Sequence, residues 1–263
     1  MLQVENPYKR IFDSHSHYDD PRFDEDRDEL LASMLSDGTV EYILHASTNL
    51  ESGAFGIEYA ERFPQFYTSV GFHPESIDEV PDGYIEKLGE LISKSQKVVA
   101  IGEIGLDYHY DGYDRERQLS LFEDQLILAN SHRLPVIVHS REATADTLEL
   151  LKKHRPQGVV HCFSGSYETA QEIISLGMYI GFTGVLTFKN AKKALHALEA
   201  VPLDRLLLET DCPYMAPDGY RGKRCDSRMI YRIAQVASEH YRITPQELID
   251  RTNENARRLF SIG

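Results

Sequence analysis

The chain has 263 residues, 41% of them hydrophobic and 27% charged, with a formal net charge of −14 at pH 7. That length suits one large domain such as an α/β barrel, or two small ones, and the apolar content is that of an ordinary globular protein. The acidic balance excludes a grip on long nucleic acid through a broadly basic face, and no apolar run approaches the roughly 18 residues of a membrane helix.

From the N-terminus onward, short apolar runs alternate with longer segments of helical period. The strand candidates are RIFDSHSH (10–17), EYILHAS (41–47), QFYTSVGFH (65–73) and KVVAIGEIG (97–105). They continue with PVIVHS (135–140), GVVHCFS (158–164), MYIGFTG (178–184) and RLLLETD (205–211). These runs are nearly continuous rather than alternating, as parallel strands covered by helices require. Between them, ERQLSLFEDQLILANSH sets Leu119, Phe122, Leu126 and Ala129 on one helical face. The last helix opens at TPQE, with Thr244 as N-cap, Pro245 at the first helical position and Glu247 completing a capping box. Leu248, Ile249, Ala256, Leu259 and Phe260 give it an apolar side. Eight β-then-α units, without a linker or repeat, predict an α/β fold: a single (β/α)8 barrel domain spanning 1–263. An open doubly wound sheet is the competing arrangement.

A barrel places functional groups at the C-terminal ends of its strands. The runs end in His15 and His17, His73, Glu103, His139, His161 and Asp211, from strands 1, 3, 4, 5, 6 and 8. In a strand, residues i and i+2 share a side, so His15 and His17 aim two imidazoles at one spot. Alone, such a pair reads more readily as a loop with two solvated histidines. Six strands ending alike point instead to a metal site. By the same parity Cys162 and Cys212 turn away from the lumen as small buried apolar residues, while Cys225 lies in a loop. Ser164 does not sit in G-x-S-x-G, and GEIGLD lacks the dinucleotide-binding spacing. Three cysteines without framework spacing, and a start (MLQVENPYKR) lacking a signal-peptide pattern, lead us to expect a cytoplasmic protein.

Together, DSHSH, GFHPE, AIGEIGLDYH, PVIVHSRE, VVHCFSG and LLLETDCPYMAP…RGKR resemble the TatD family of metal-dependent deoxyribonucleases, from about residue 10 to the terminal NARRLF. The resemblance implies an amidohydrolase-like barrel, a divalent-metal site and phosphodiester hydrolysis. Carried over residue by residue, it implies one cation held by His15, His17 and Asp211, a second held by His139 and His161, and Glu103 bridging the two. A carboxylate has two oxygens and can span two cations, leaving each an open position. Two stretches depart from the family. Ser16 stands where cysteine is usual, and by parity it faces outward with little effect. Cys225, Asp226 and Ser227 stand where Asn-Glu-Pro more often follows, which bears on the substrate contacts of that loop and not on the metal site.

The expected activity is therefore two-metal cleavage of DNA, as a 3′–5′ exodeoxyribonuclease on short or single-stranded ends, by a monomer without membrane contact. Asp211 is expected to orient the attacking water and take its proton. His73 and Arg141 are expected to hold phosphate oxygens, Arg141 as a bidentate donor, with Arg221, Lys223 and Arg224 supplying local positive charge. Two divalent cations would add four positive charges against the −14, at the place where phosphate binds; what remains argues for a short contact. Four histidines lean toward Zn, Mn or Ni, whereas the family's nucleases are generally regarded as magnesium-supported. The competing functions are a metal-dependent amide, lactone or ester hydrolase on the same barrel, an aminoacyl ester of transfer RNA included, and a non-catalytic metal-binding protein. The latter has no physical reason to keep a complete ligand set.

Overall fold

The eight apolar runs are eight parallel strands in the computed structural model, which describes residues 4–263. They are β1 (Ile11–Ser16), β2 (Val40–His45), β3 (Phe66–Val70), β4 (Val98–Asp107), β5 (Val136–Arg141), β6 (Gly158–Val160), β7 (Tyr179–Phe182) and β8 (Leu206–Leu208). Each pairs with the next in chain order. The ring closes between β1 and the segment just past β8, where Ser16 bridges Cys212. Asp211 N–H donates to the His15 carbonyl at 2.9 Å and His17 N–H to the Cys212 carbonyl at 2.8 Å. The fold is a barrel and not an open sheet.

Helices follow the strands: α1 (Arg27–Ser36), α2 (Leu50–Arg62), α3 (Tyr84–Lys94), α4 (Arg115–His132), α5 (Thr144–His154), α6 (Tyr167–Ser175), α7 (Lys192–Leu198), α8 (Ile230–Tyr241) and α9 (Pro245–Phe260). Among the described residues, none is long and apolar enough to cross a membrane. α9 begins as its sequence predicts, with Thr244 Oγ1 accepting from Glu247 N–H at 3.2 Å and Pro245 in the first turn. Its buried Ala256, Leu259 and Phe260 pack with Phe12, Leu44, Ile137, Val159 and Leu207, flooring the barrel at the end opposite the functional strand tips.

In α4 the predicted face is buried at Phe122, Leu126 and Ala129, but Leu119 is only half-buried. The buried place beside it goes to Gln118, whose amide clamps Asp107: Oε1 accepts from its N–H and Nε2 donates to its carbonyl, both at 2.8 Å. One heptad on, the buried Gln125 does the same to Phe72, at 2.7 and 3.1 Å. Two glutamines of one helix thereby fix the chain just past β3 and the end of β4, next to His73 and at Asp107.

Candidate metal centre

Glu103 comes from β4 to the middle of the barrel mouth, almost fully buried. Its Oε2 lies 3.2 Å from His15 Nε2 and 3.5 Å from His17 Nε2. Its Oε1 lies 2.7 Å from His161 Nε2, 3.0 Å from His139 Nδ1 and 3.4 Å from His73 Nε2. Asp211 faces the first pair, with Oδ1 3.2 Å from His17 Nε2 and 3.7 Å from His15 Nε2. Imidazole nitrogens also face one another, His15 Nε2 and His17 Nε2 at 3.1 Å, His139 Nδ1 and His161 Nε2 at 3.3 Å. Ligand atoms of three overlapping sets converge within 4.8 Å: His15, His17 and Glu103; His15, His161 and Asp211; His73, Glu103 and His139. Nitrogen lone pairs converging on shared buried carboxylates suit divalent cations, and this imidazole–carboxylate mixture suits the borderline ones best.

The carboxylates are ionised. Burial alone would raise the Glu103 carboxyl, but His161, His73 and His15 hold it well below the usual range. His17 likewise holds down Asp211 against burial. Burial, helped by His161, pushes the His15 imidazole down to about 4. In His17 and His139 burial is outweighed: Asp211 and Glu103 lift the first to about 9, and Asp107 and Glu103 lift the second to about 9.

Behind these groups stands a second layer that the sequence reading did not single out. Asp107 Oδ2 lies 2.9 Å from His139 Nε2, so Nδ1 is the nitrogen turned to Glu103; an outer carboxylate of this kind orients a ligating histidine. His73 Nδ1 accepts from Glu75 N–H at 3.1 Å, which leaves the proton on Nε2 and makes His73 a donor toward the centre. Glu209, buried two residues before Asp211, accepts from Cys162 N–H at 2.5 Å and lies 3.7 Å from His161 Nδ1. Burial raises its carboxyl to about 7; a Cβ at Gly181 would meet the Glu209 carboxylate and force it to shift. Behind β1, buried Asp13 accepts from Thr210 N–H at 3.0 Å, Thr210 Oγ1 at 2.6 Å and Ser227 Oγ at 2.7 Å. Even so, burial lifts it to about 6. The signal was present in the sequence: Asp107 and Glu209 are acidic residues near the ends of the same apolar runs as Glu103 and Asp211.

The centre opens into a cavity of about 880 Å³ whose wall includes His73 and Arg141. Arg221, Lys223 and Arg224 line a smaller hollow beside it, about 370 Å³, with the Arg221 guanidinium 4.4 Å from the Phe188 ring centre. Arg224 lines that hollow with its guanidinium already paired. Its guanidinium forks onto Asp26 at 2.6 and 2.8 Å and donates to the Arg22 carbonyl at 2.7 Å, so it ties the loop after β8 to the loop after β1 instead of facing the cavity. Asp226, buried, pairs with Arg228 at 2.8 Å, and its charge also helps to hold Arg224 protonated. Ser16 is buried and donates to the Leu44 carbonyl at 3.0 Å. Cys212 is buried as expected, Cys225 in its loop is buried too, but Cys162, expected to be buried, lines the cavity. β6 ends at Val160 and Cys162 has φ +43°, so strand parity no longer governs it.

Residues 12–261 match the family described as TatD related DNase. An uncharacterized metal-dependent hydrolase of Bacillus subtilis, YabD, is 36% identical over 256 residues, covering 96% of this chain and 100% of the relative. A 3′-5′ ssDNA/RNA exonuclease TatD of Cronobacter turicensis is 35% identical, covering 95% and 97%. The crystal structure of YjjV, a TatD homologue from Escherichia coli K12, superposes with a TM-score of 0.90 at 35% identity, over 97% of this chain and 99% of that one.

Proposed function

We propose that this chain, which belongs to the TatD-related DNase family and is a metal-dependent hydrolase, cleaves phosphodiester bonds at short or single-stranded DNA ends, from 3′ to 5′. The observation that carries this reading is the division of Glu103, one oxygen toward His15 and His17 and the other toward His139 and His161. That division suits two cations: His15, His17 and Asp211 on one, His139 and His161 on the other, Glu103 between. Divalent cations there would supply Lewis acidity, lowering the pKa of water and neutralising charge on phosphoryl oxygens.

The residues divide the remaining work. Asp211, ionised and lining the cavity, orients the attacking water and accepts its proton. His73 donates from Nε2 toward the centre, and Arg141 offers planar donors to phosphoryl oxygens from the cavity wall. The direction of cleavage and the single-stranded substrate are drawn from the Cronobacter relative's description.

The test loads the purified protein in turn with Mg, Mn and Zn. It then offers a 5′-labelled single-stranded oligonucleotide and an aminoacyl ester side by side, with metal content measured on each sample. A ladder shortening from the 3′ end, with two cations per chain, is expected. Ester hydrolysis without cleavage of the oligonucleotide would overturn the reading. Binding should weaken only shallowly with salt, at roughly 0.7 in log–log slope per neutralised phosphate, for about two to four contacts.

A further inference from the structure

Three aromatic rings line the cavity mouth, each with an arginine on one face. Arg141 stands 5.2 Å from the Tyr110 ring centre, Arg22 4.1 Å from Tyr214 and Arg221 4.4 Å from Phe188. Tyr110 and Tyr214 remain 55% and 48% exposed. Of the six large apolar side chains exposed among the described residues, Tyr110, Tyr214 and Met215 are at this cavity. Tyr110 follows β4 and Tyr214 follows β8, four strands apart in a ring of eight, so they flank Glu103 from opposite sides. The Tyr214 ring lies 6.5 Å from that of His17 at 72°. Each tyrosine is held upright, Tyr214 by its hydroxyl on Asp20 at 3.0 Å and Tyr110 by Arg141 Nη1 on its hydroxyl at 3.4 Å.

Charge does not explain this rim. Asp19, Asp20 and Glu75 line the same cavity and offset Arg141 and Lys193, and the chain carries −14 overall. A polyanion held here needs affinity from something other than a basic track, and stacking of bases on aromatic faces provides it without regard to sequence. Resting on the phosphodiesterase reading above, we propose that Tyr110 and Tyr214 are stacking platforms for the two nucleobases that flank the scissile phosphate. The enzyme then recognises unpaired, base-bearing nucleotides, because paired bases in a duplex do not offer their faces to two opposed rings.

The test compares two single-stranded tetranucleotides, one normal and one with abasic tetrahydrofuran residues on both sides of the scissile phosphate, in wild type, Tyr110→Ala, Tyr214→Ala and Tyr214→Trp. Wild type should prefer the normal oligonucleotide. Each alanine variant should lose roughly tenfold in kcat/KM on it, mostly through KM, and far less on the abasic one, while tryptophan restores the preference. Equal losses on both substrates, or none on either, would overturn the stacking assignment alone. A metal-loaded wild type that cleaves neither would overturn the phosphodiesterase reading and the stacking assignment with it.

Discussion

The two sides of the metal centre are built by different means. On the β1 and β8 side, His15, His17 and Asp211 sit on the seam itself: backbone groups of all three take part in the hydrogen bonds that close the barrel. Behind them Asp13, Thr210, Ser227 and Tyr18 form a buried polar network, with Tyr18 Oη 2.7 Å from Ser227 Oγ. On the β4 to β6 side, the candidate ligands stand on parallel ladders away from the seam, His139 opposite Gly105 and His161 N–H on the Val138 carbonyl at 3.0 Å, although the β4–β5 pairing slips between Ile101 and Ile104, beside Glu103. There two outer carboxylates back the histidines, Asp107 on His139 and Glu209 near His161, and Gln118 clamps the Asp107 backbone. One side is placed by the fold's closure, the other by side chains added to a complete sheet. Damage to the first should appear as lost stability, and damage to the second as lost metal affinity.

Glu103 belongs to both sides, and its replacement should have the largest effect. Glu103→Gln is expected to reduce turnover to background with the circular dichroism spectrum unchanged, because a neutral amide cannot serve two cations. Full metal content with wild-type turnover would remove Glu103 from the centre. Next comes Asp13→Ala, which strands four buried donors, the His15 N–H among them. It should lower unfolding free energy by about 3 kcal/mol in urea titrations, and an unchanged midpoint would deny the seam network any structural weight.

Asp107→Asn should spare stability and weaken metal binding or turnover by roughly ten- to a hundredfold; a large drop in unfolding midpoint would erase the contrast between the two sides. Smallest is Arg224→Ala. With its guanidinium committed to Asp26 and only partly buried, it should cost less than about 1 kcal/mol and leave KM for oligonucleotides within twofold. A tenfold rise in KM would return Arg224 to the substrate.

The strands were legible because each is an apolar run short enough for a strand, and the residues ending those runs are the ones that converge. Pairwise geometry was less legible. Strand parity joined His15 to His17, yet β1 stops at Ser16 and its pairing with β2 slips between Asp13 and Ser16. The two rings meet at 75°, not side by side. Parity failed for Cys162 because a left-handed residue follows a three-residue strand. For Arg224 no local pattern sufficed, since Asp26, its partner, lies 198 residues away. Gln118 and Gln125 looked like interruptions of an apolar stripe; their value lies in backbone groups of strands remote in sequence.

The hydrogen bonds from Asp211 to His15 and from His17 to Cys212 have a dynamic consequence. Seam and ligand set share the same residues, so the barrel cannot part there without dismantling the cation site, and a cation that joins those side chains resists the parting. Amide hydrogen exchange at His17 and Asp211 should therefore slow as metal is titrated in, while amides on the β4 to β6 ladders hold their rates. Two backbone protons become a gauge of metal occupancy, readable without any substrate.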